Sequence, residues 1–498
     1  MEAAIRHALT HRIAGPADFD IHGALREVLS DAGFKPEDSG GQIAFEGLDP
    51  IVPSVFRIGA AAGIGLAAKS VAMAALWRAR GGAGQDIQMD IRRAPHRLCP
   101  FYDRKWELLN GYPPRNVADP DSPFTLSFFE TRDKRWVMPL NLYPKLKTSA
   151  LRLLGCNPDM DTVARAIGQW NAAELEAAAS KLGVVMPMLR SVEEFFEEAQ
   201  YREHLRALPL IEIEKIGECD PIPFTPGPTA PLSGVRALGM ARVIAGAGTG
   251  RALALHGADV LNIWRPTDFE SDLLYATANV GVRSSVIDPA TEAGGAQMRA
   301  LLKDADVFYA NRRLGFLDRY GLSPAEAAKT RPGIVHASVS LHGQTGPWAD
   351  RPGFDQSAGC VTGIMGLEGT PDAPKLPPVL VVNDYLASWL LTTGITAALM
   401  RRATEGGSWR VHVSLTRLSL WLYTLGVFDK SYAHATAGSG DAHAYLDPEV
   451  FSADTTMGHY QGVTDQVKMS ATPGRYTPVL VPRGSSRAEW LARSASSR

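Results

Sequence analysis

Between residues 235 and 341 the apolar positions fall into short runs separated by stretches of helical period. "VRALGM" (235 to 240), "DVLNIW" (259 to 264), "DVFYAN" (306 to 311) and "GIVHASVSL" (333 to 341) read as buried strands. "GRALALHG" (250 to 257), "GGAQMRALLKDA" (294 to 305) and "SPAEAAKTR" read as the helices between them. In the last, Ser323 and Glu326 have capping-box spacing with Pro324 at the first helical position. Strands that alternate with helices of this length pair in parallel through right-handed crossovers. The pattern predicts an α/β fold built on a Rossmann-like, doubly wound parallel sheet.

The longest apolar run, "LPPVLVVNDYLASWLLTTGITAALM" (376 to 400), holds one charged side chain, Asp384. Its length would span a bilayer. It opens on Pro377-Pro378 and carries an acid, and its nearest counterpart, 52 to 77, is interrupted by Arg57 and Lys69. The run therefore reads as a buried strand feeding a buried helix that begins near Tyr385. A carboxylate in such surroundings has to be paired, hydrogen-bonded or put to use. A related segment lies earlier in the chain: "AALWRARGGAGQDIQMDI" (74 to 91) aligns with "AALMRRATEGGSWRVHVSL" (397 to 415), with one residue of gap. That alignment places Ala61 opposite Asp384, and no Asp or Glu occurs between Asp49 and Asp86. If both segments are copies of one unit, only the second keeps the carboxylate. The first then reads as a structural partner, its helix at 58 to 77 covered by the sheet of residues 231 to 345, either in the same chain or in a second one.

"CDPIPFTPGPTAPLSG" (219 to 234), rich in proline and without periodicity, reads as a linker. Around it the chain divides into an N-terminal helical segment (1–45), a partial copy of the later half without its carboxylate (46–218), the Rossmann-like domain with the Asp384 helix (235–420), and a C-terminal segment (421–498).

Charge narrows the partners. Lys plus Arg total 51 against 53 for Asp plus Glu, a net of −2, so no global basic field points to nucleic acid or an anionic membrane. Cys99, Cys156, Cys219 and Cys360 lie far apart, with no C-x-x-C pair and no His cluster at zinc-ligand spacing. They read as reduced thiols. The N-terminus carries acids and no long apolar core, which points to a cytoplasmic protein with no secretory signal.

Gly246, Gly248 and Gly250 follow the first strand and precede a helix. Such glycines let backbone amides approach an anionic ligand, or serve only to pack helix on sheet; the spacing here is G-x-G-x-G. The second strand ends on Trp264-Arg265, where an NAD site would have an acid. Arginine suits a phosphorylated ribose, as in NADP or the 3′-phosphate of coenzyme A, and the loop does not separate those two.

"RVIAGAGTGRALALHGADVLNIWRP", "HGQTGPWADRPGFDQSAG" and "VVNDYLASWLLTTGITAALMRR", in order between Pro231 and about Leu418, together resemble the family III coenzyme A transferases. This is the CaiB/BaiF-type group of formyl-CoA transferase, carnitine-CoA transferase and the alpha-methylacyl-CoA racemases. The N-terminal half, including "SVEEFFEEAQYREHLRALPLIEIEKIGE", looks like the later part of the same family's chain. The resemblance implies that Asp384 is the nucleophile of an acyl-CoA:carboxylate CoA-transferase. It would attack an acyl-CoA thioester, pass through a mixed anhydride to an aspartyl-CoA thioester, and deliver CoA to an acceptor carboxylic acid. At a helix N-terminus the ionised form of such an acid is favoured, whereas burial opposes it. The resemblance further implies coenzyme A contacts at Val243, Ala245, Arg265, Asn311 and Arg319. It implies acyl-CoA and a carboxylic acid as substrates, no tightly bound cofactor or metal, and a homodimer.

Four positions depart from the family's pattern. Arg312 stands where an aromatic is common, Val282 where lysine is expected, Ser388 where glycine is usual, and Phe354 where the racemases carry histidine. Phenylalanine cannot exchange a proton, so racemisation is disfavoured. Two other readings stay open: a catalytically silent member with a role in assembly, and an NADP-dependent oxidoreductase, which lacks an evident Tyr-x-x-x-Lys pair.

Overall fold

The computed structural model describes residues 1–115 and 122–492. Its central sheet contains β1 (Glu212–Gly217), β2 (Arg236–Met240), β3 (Asp259–Trp264), β4 (Arg283–Val286), β5 (Val307–Ala310), β6 (Val335–Ser340) and β7 (Ser408–Ser414). The spatial order is β1-β7-β6-β5-β2-β3-β4, with every neighbouring pair parallel except β1 against β7. From β2 the chain builds outward through β3 and β4, then restarts on the other side at β5. That reversal is the doubly wound topology expected from the sequence, and it leaves a crevice past the carboxyl ends of β2 and β5.

Both faces of this sheet are apolar, as parallel strands covered by crossovers require. Ala237, Val307, Tyr309, Val335 and Ala337 join the larger core, while Leu238, Met240, Leu261, Phe308 and Ala310 join a second one with Met298, Leu301 and Leu302. Ser323 caps the helix Pro324–Thr330, its Oγ accepting from the Glu326 amide at 3.3 Å.

The run before Asp384 is not the expected strand. Residues 376 to 382 form an irregular segment with a turn in which the Leu380 amide donates to the Pro377 carbonyl (2.9 Å). Pro377 and Pro378 have no amide hydrogen to give a ladder, which keeps the segment out of the sheet.

Two long apolar helices, α1 (Ile58–Ala79) and α3 (Asn383–Glu405), each cross between neighbouring parallel strands. α3 joins β6 to β7; α1 joins Gly40–Glu46 to Gln85–Asp90 in a separate three-stranded sheet. α1 is long and apolar enough to cross a membrane, yet the apolar window that qualifies it is wholly buried within the protein. Its cover is α3, and not the sheet of residues 231 to 345. Gly65 lets α1 come close: a Cβ there would stand 2.7 Å from Leu386 Cδ2 and 3.1 Å from Trp389 Cε3. α3 in turn occupies the sheet face, where a Cβ on Gly394 would stand 2.5 Å from Val411 Cγ1. The three layers bury α3 on both sides.

The two halves interlock. Val467–Met469 completes the sheet of Gly40–Glu46 and Gln85–Asp90, and β1 completes the central one. The proline-rich segment is held down by Arg80, which donates to the carbonyls of Thr225 (2.7 Å), Pro231 (2.7 Å) and Ser233 (3.0 Å).

Candidate active site

Asp384 is the second residue of α3 and is 7% exposed. The amides at the head of this helix are already spoken for. Oδ2 of Asp355, the first residue of the helix Asp355–Thr362, accepts from the amides of Val382 (3.2 Å), Asn383 (2.5 Å) and Asp384 (3.0 Å). Burial raises the Asp355 carboxyl to about 6, against the pull of those amides. Burial, and then the neighbouring Asp355 charge, raise Asp384 well above the carboxylate range. No hydrogen bond reaches the Asp384 carboxyl among the described residues. Of the two acids Asp384 holds its proton to the higher pH, since the helix amides stabilise the Asp355 charge and no such donor serves Asp384. Of the two opposing influences expected on Asp384, burial is felt in full, whereas the helix amides serve its neighbour.

The segment 241 to 246 lies past the end of β2, pinned from both sides. Asn262 accepts from the Ala241 amide (2.9 Å) and donates to its carbonyl (3.0 Å). Asn311 does the same for Arg242, at 3.0 and 2.8 Å. Asn311, expected as a nucleotide contact, thus spends its amide group on shaping this loop. Val243 takes a left-handed φ of 59°, and its amide donates to Glu270 Oε2 (2.7 Å). The Ala245 carbonyl accepts from Ser388 Oγ (2.8 Å), which ties the loop to α3 one turn past Asp384. Ser388, a departure from the family's glycine, is the bridge between them.

The glycines serve packing. A Cβ on Gly246 would stand 2.6 Å from the Asn311 amide group, one on Gly248 2.7 Å from Ser388 Oγ, and one on Gly250 would run into the Tyr309 hydroxyl. The amides of Gly248 and Thr249 are bonded within the loop, to Ile244 (2.6 Å) and Gly246 (3.1 Å). Close contact of helix, sheet and α3 accounts for these residues, and the loop is not an open phosphate cradle.

Arginines gather at the same crevice. The guanidinium carbons of Arg265, Arg312 and Arg319 lie 4.8, 5.0 and 5.1 Å from the ring centre of Phe316. Asp268 accepts from Arg265 Nη2 (2.8 Å) and Arg312 Nη2 (2.7 Å). Burial alone would push the Asp268 carboxyl up, but the bonds from Arg312 and Arg265 outweigh it and hold it below the ordinary range. With Arg242 Nη1 3.7 Å from the same carboxylate, one Asp268 stands among four guanidinium groups, which leaves positive charge for an anion. Arg265 and Arg319, apart in sequence, are brought together here, and Arg312 is part of the group.

Several wall residues had no signal in the sequence because they come from the other half. The Tyr143 hydroxyl donates to Glu270 Oε1 (2.8 Å), and its ring stacks on Phe354 at 5.9 Å. Arg97, fully buried, lies 4.5 Å from the ring of Tyr385, the residue after Asp384. Burial raises the Cys99 thiol well above its usual value, and the nearby Asp355 charge adds to the rise. Asp355 was visible in "RPGFD", but nothing in its spacing marks it as the partner of an acid 29 residues on.

Residues 232–471 match the sequence model of CoA-transferase family III. A succinate–glutarate CoA-transferase of Agrobacterium fabrum is 32% identical over 244 residues, 45% of this chain and 60% of that protein. An acetyl-CoA:oxalate CoA-transferase of Acetobacter aceti is 31% identical over 205 residues, 40% of this chain and 51% of that one. Among solved structures, a CAIB/BAIF family protein from Brucella suis is 31% identical, with a TM-score of 0.35 over 39% of this chain and 55% of that one. The chain thus spans about half to three-fifths of the length of these relatives.

Proposed function

We propose, from the premise that residues 232–471 belong to CoA-transferase family III, that this protein is an acyl-CoA:carboxylate CoA-transferase with Asp384 as its nucleophile. The observation that carries this reading is the buried Asp355–Asp384 pair at the head of α3, joined through Ser388 and residues 241 to 246 to the arginines around Phe316. One end of the site can accept a reacting carbonyl and the other an anionic nucleotide.

An Asp384 oxygen attacks the thioester carbonyl, the C–S bond breaks, and CoA leaves as thiolate from a mixed anhydride. The thiolate attacks the aspartyl carbonyl and releases the first carboxylic acid as its anion, leaving an aspartyl-CoA thioester. The acceptor carboxylate attacks that carbonyl, and the returning thiolate takes the acceptor's acyl group and frees Asp384. A protonated carboxyl is a poor nucleophile, so Asp384 must first lose its proton. The acid limb of the rate profile then lies above the ordinary carboxylate range. Arg265, Arg312 and Arg319 hold the phosphorylated end of CoA, and Val243 and Ala245 carry the loop backbone toward its adenine.

The enclosure of Asp384 favours one rival, a silent member with a role in assembly. Mass spectrometry of the intact protein after incubation with acyl-CoA and hydroxylamine separates the two. A hydroxamate at Asp384 is the expected product; its absence across a range of acyl-CoA esters would overturn the transferase reading. The homodimer is part of the proposal, and sedimentation of the full chain measures it.

A further inference from the structure

The match to CoA-transferase family III ends at residue 471, and the chain past it forms a strap along the outer edge of the central sheet. Its start is fixed to α2 (Ala247–Leu255): the Arg475 amide donates to the Leu255 carbonyl (2.9 Å), and Arg251 Nε donates to the Tyr476 hydroxyl (3.1 Å). The Val479 carbonyl then accepts from the Gly281 amide (2.7 Å), and the Val481 carbonyl from the Tyr275 hydroxyl (2.8 Å). Beside β4, the edge strand, the Gly484 amide donates to Ser284 Oγ (2.9 Å) and the Ser486 amide to the Ser284 carbonyl (2.7 Å). An open sheet edge offers its unpaired amides and carbonyls to other chains, and the strap covers this one.

Covering the edge does not account for Arg483. The backbone holds this residue from both sides, at Val481 and Gly484, and its side chain reaches the carboxyl end of β3. Nη1 donates to the Asp268 carbonyl (2.8 Å), and the guanidinium carbon lies 5.4 Å from the ring centre of Trp264, the residue before Arg265. Asp268 is the residue whose carboxylate gathers Arg265 and Arg312, and the next carbonyl, that of Phe269, accepts from Arg242. Arg483 therefore joins the arginines of the crevice, on the backbone of the residue that organises them.

A carbonyl satisfies a donor without cancelling its charge. Arg483 is exposed and makes no ion pair among the described residues, so its charge adds to the surplus already present there. Val282, where the family's pattern has lysine, is buried and brings no charge to this edge.

We propose that the strap supplies Arg483 as a further guanidinium for a phosphate of coenzyme A, so that affinity for the nucleotide depends on a segment outside the family match. The inference rests on the transferase reading. A guanidinium carries five N–H donors, and one bond to a carbonyl leaves the rest for a phosphate. Because its backbone is already fixed, little further ordering is needed when the anion binds.

Isothermal titration of the full chain with CoA and with dephospho-CoA, neither of which carries an acyl group to transfer, tests this without turnover. Arg483→Ala should weaken CoA binding about tenfold, the lower end for a charge-assisted contact because the side chain is exposed. Arg483→Lys should weaken it less, since the ammonium keeps the charge and loses the fork. Arg487→Ala removes another exposed cation of the same strap, 3.9 Å from Glu489, and should bind CoA as the wild type does. A loss for CoA alone would support a contact with the 3′-phosphate, and an equal loss for both ligands a contact with the diphosphate. Unchanged CoA affinity in Arg483→Ala, or an equal loss in Arg487→Ala, would overturn this inference and leave the transferase reading standing. Absence of CoA binding by the wild type would overturn both.

Discussion

Replacing Asp384 by Asn should abolish transfer and make the protein more stable, by an amount that grows with pH. In the unfolded chain Asp384 titrates at its ordinary value of 3.8, whereas in the fold burial and the Asp355 charge hold its proton far higher. A raised folded pKa contributes stability that is complete below 3.8 and is lost as pH climbs toward the folded value. Within that window the wild type loses about 1.4 kcal/mol per pH unit through this one group. Asparagine has no proton to lose. Asp355 and the remaining titrating groups are common to both proteins and cancel in the difference. The gap in favour of the variant should therefore widen from pH 5 to pH 7, at that slope for as long as the fold keeps the proton on Asp384. Urea unfolding of both full-length proteins at pH 5, 6 and 7 measures the gap through the midpoint and slope. A constant gap, or one that narrows with pH, would refute the argument that Asp384 is a buried neutral acid. Transfer activity in the variant would separately remove Asp384 from the mechanism.

Asp355→Asn removes the charge beside Asp384 while keeping an acceptor oxygen for the helix amides, so the pH dependence of hydroxamate formation should move to lower pH; an unmoved profile would disconnect the two acids. Arg265→Ala and Arg312→Ala each remove a charge-assisted contact of about 1.5 to 3 kcal/mol, raising the KM for acyl-CoA about 10- to 150-fold with little change in kcat. Equal use of CoA and dephospho-CoA esters by the wild type would contradict that role. Residues 229–498 expressed alone should aggregate, since α3 loses its cover from α1 and Val467–Met469 loses its partner strand. Co-expression with residues 1–228 should restore a soluble protein, and a soluble, active fragment would show that the N-terminal half is dispensable.

The sequence alone determined the parts whose signals are local. Alternating apolar runs and helical stretches marked β2, β3, β5 and β6 with the helices between them, and the parallel doubly wound order followed from that alternation. A lone acid in an apolar run singled out Asp384, and the Ala-Ala-Leu repeat pointed to α1 as the counterpart of α3. Arg265 was legible as a charge at a strand end, and Arg319 came only from the family resemblance. Protonation and partnership were decided only in three dimensions, because both depend on what the fold brings within a few ångströms. Asp355 takes the helix amides that Asp384 was expected to use. Asn311 holds a loop where a nucleotide contact was expected, and Ser388 turns a departure from the family's pattern into a bridge. Tyr143, Arg97 and Cys99 reach the site across more than a hundred residues of chain, since α1 packs on α3 and brings the N-terminal half with it. Local periodicity reports which face of an element is apolar; which other element covers that face, and what polar groups come with it, is settled by packing.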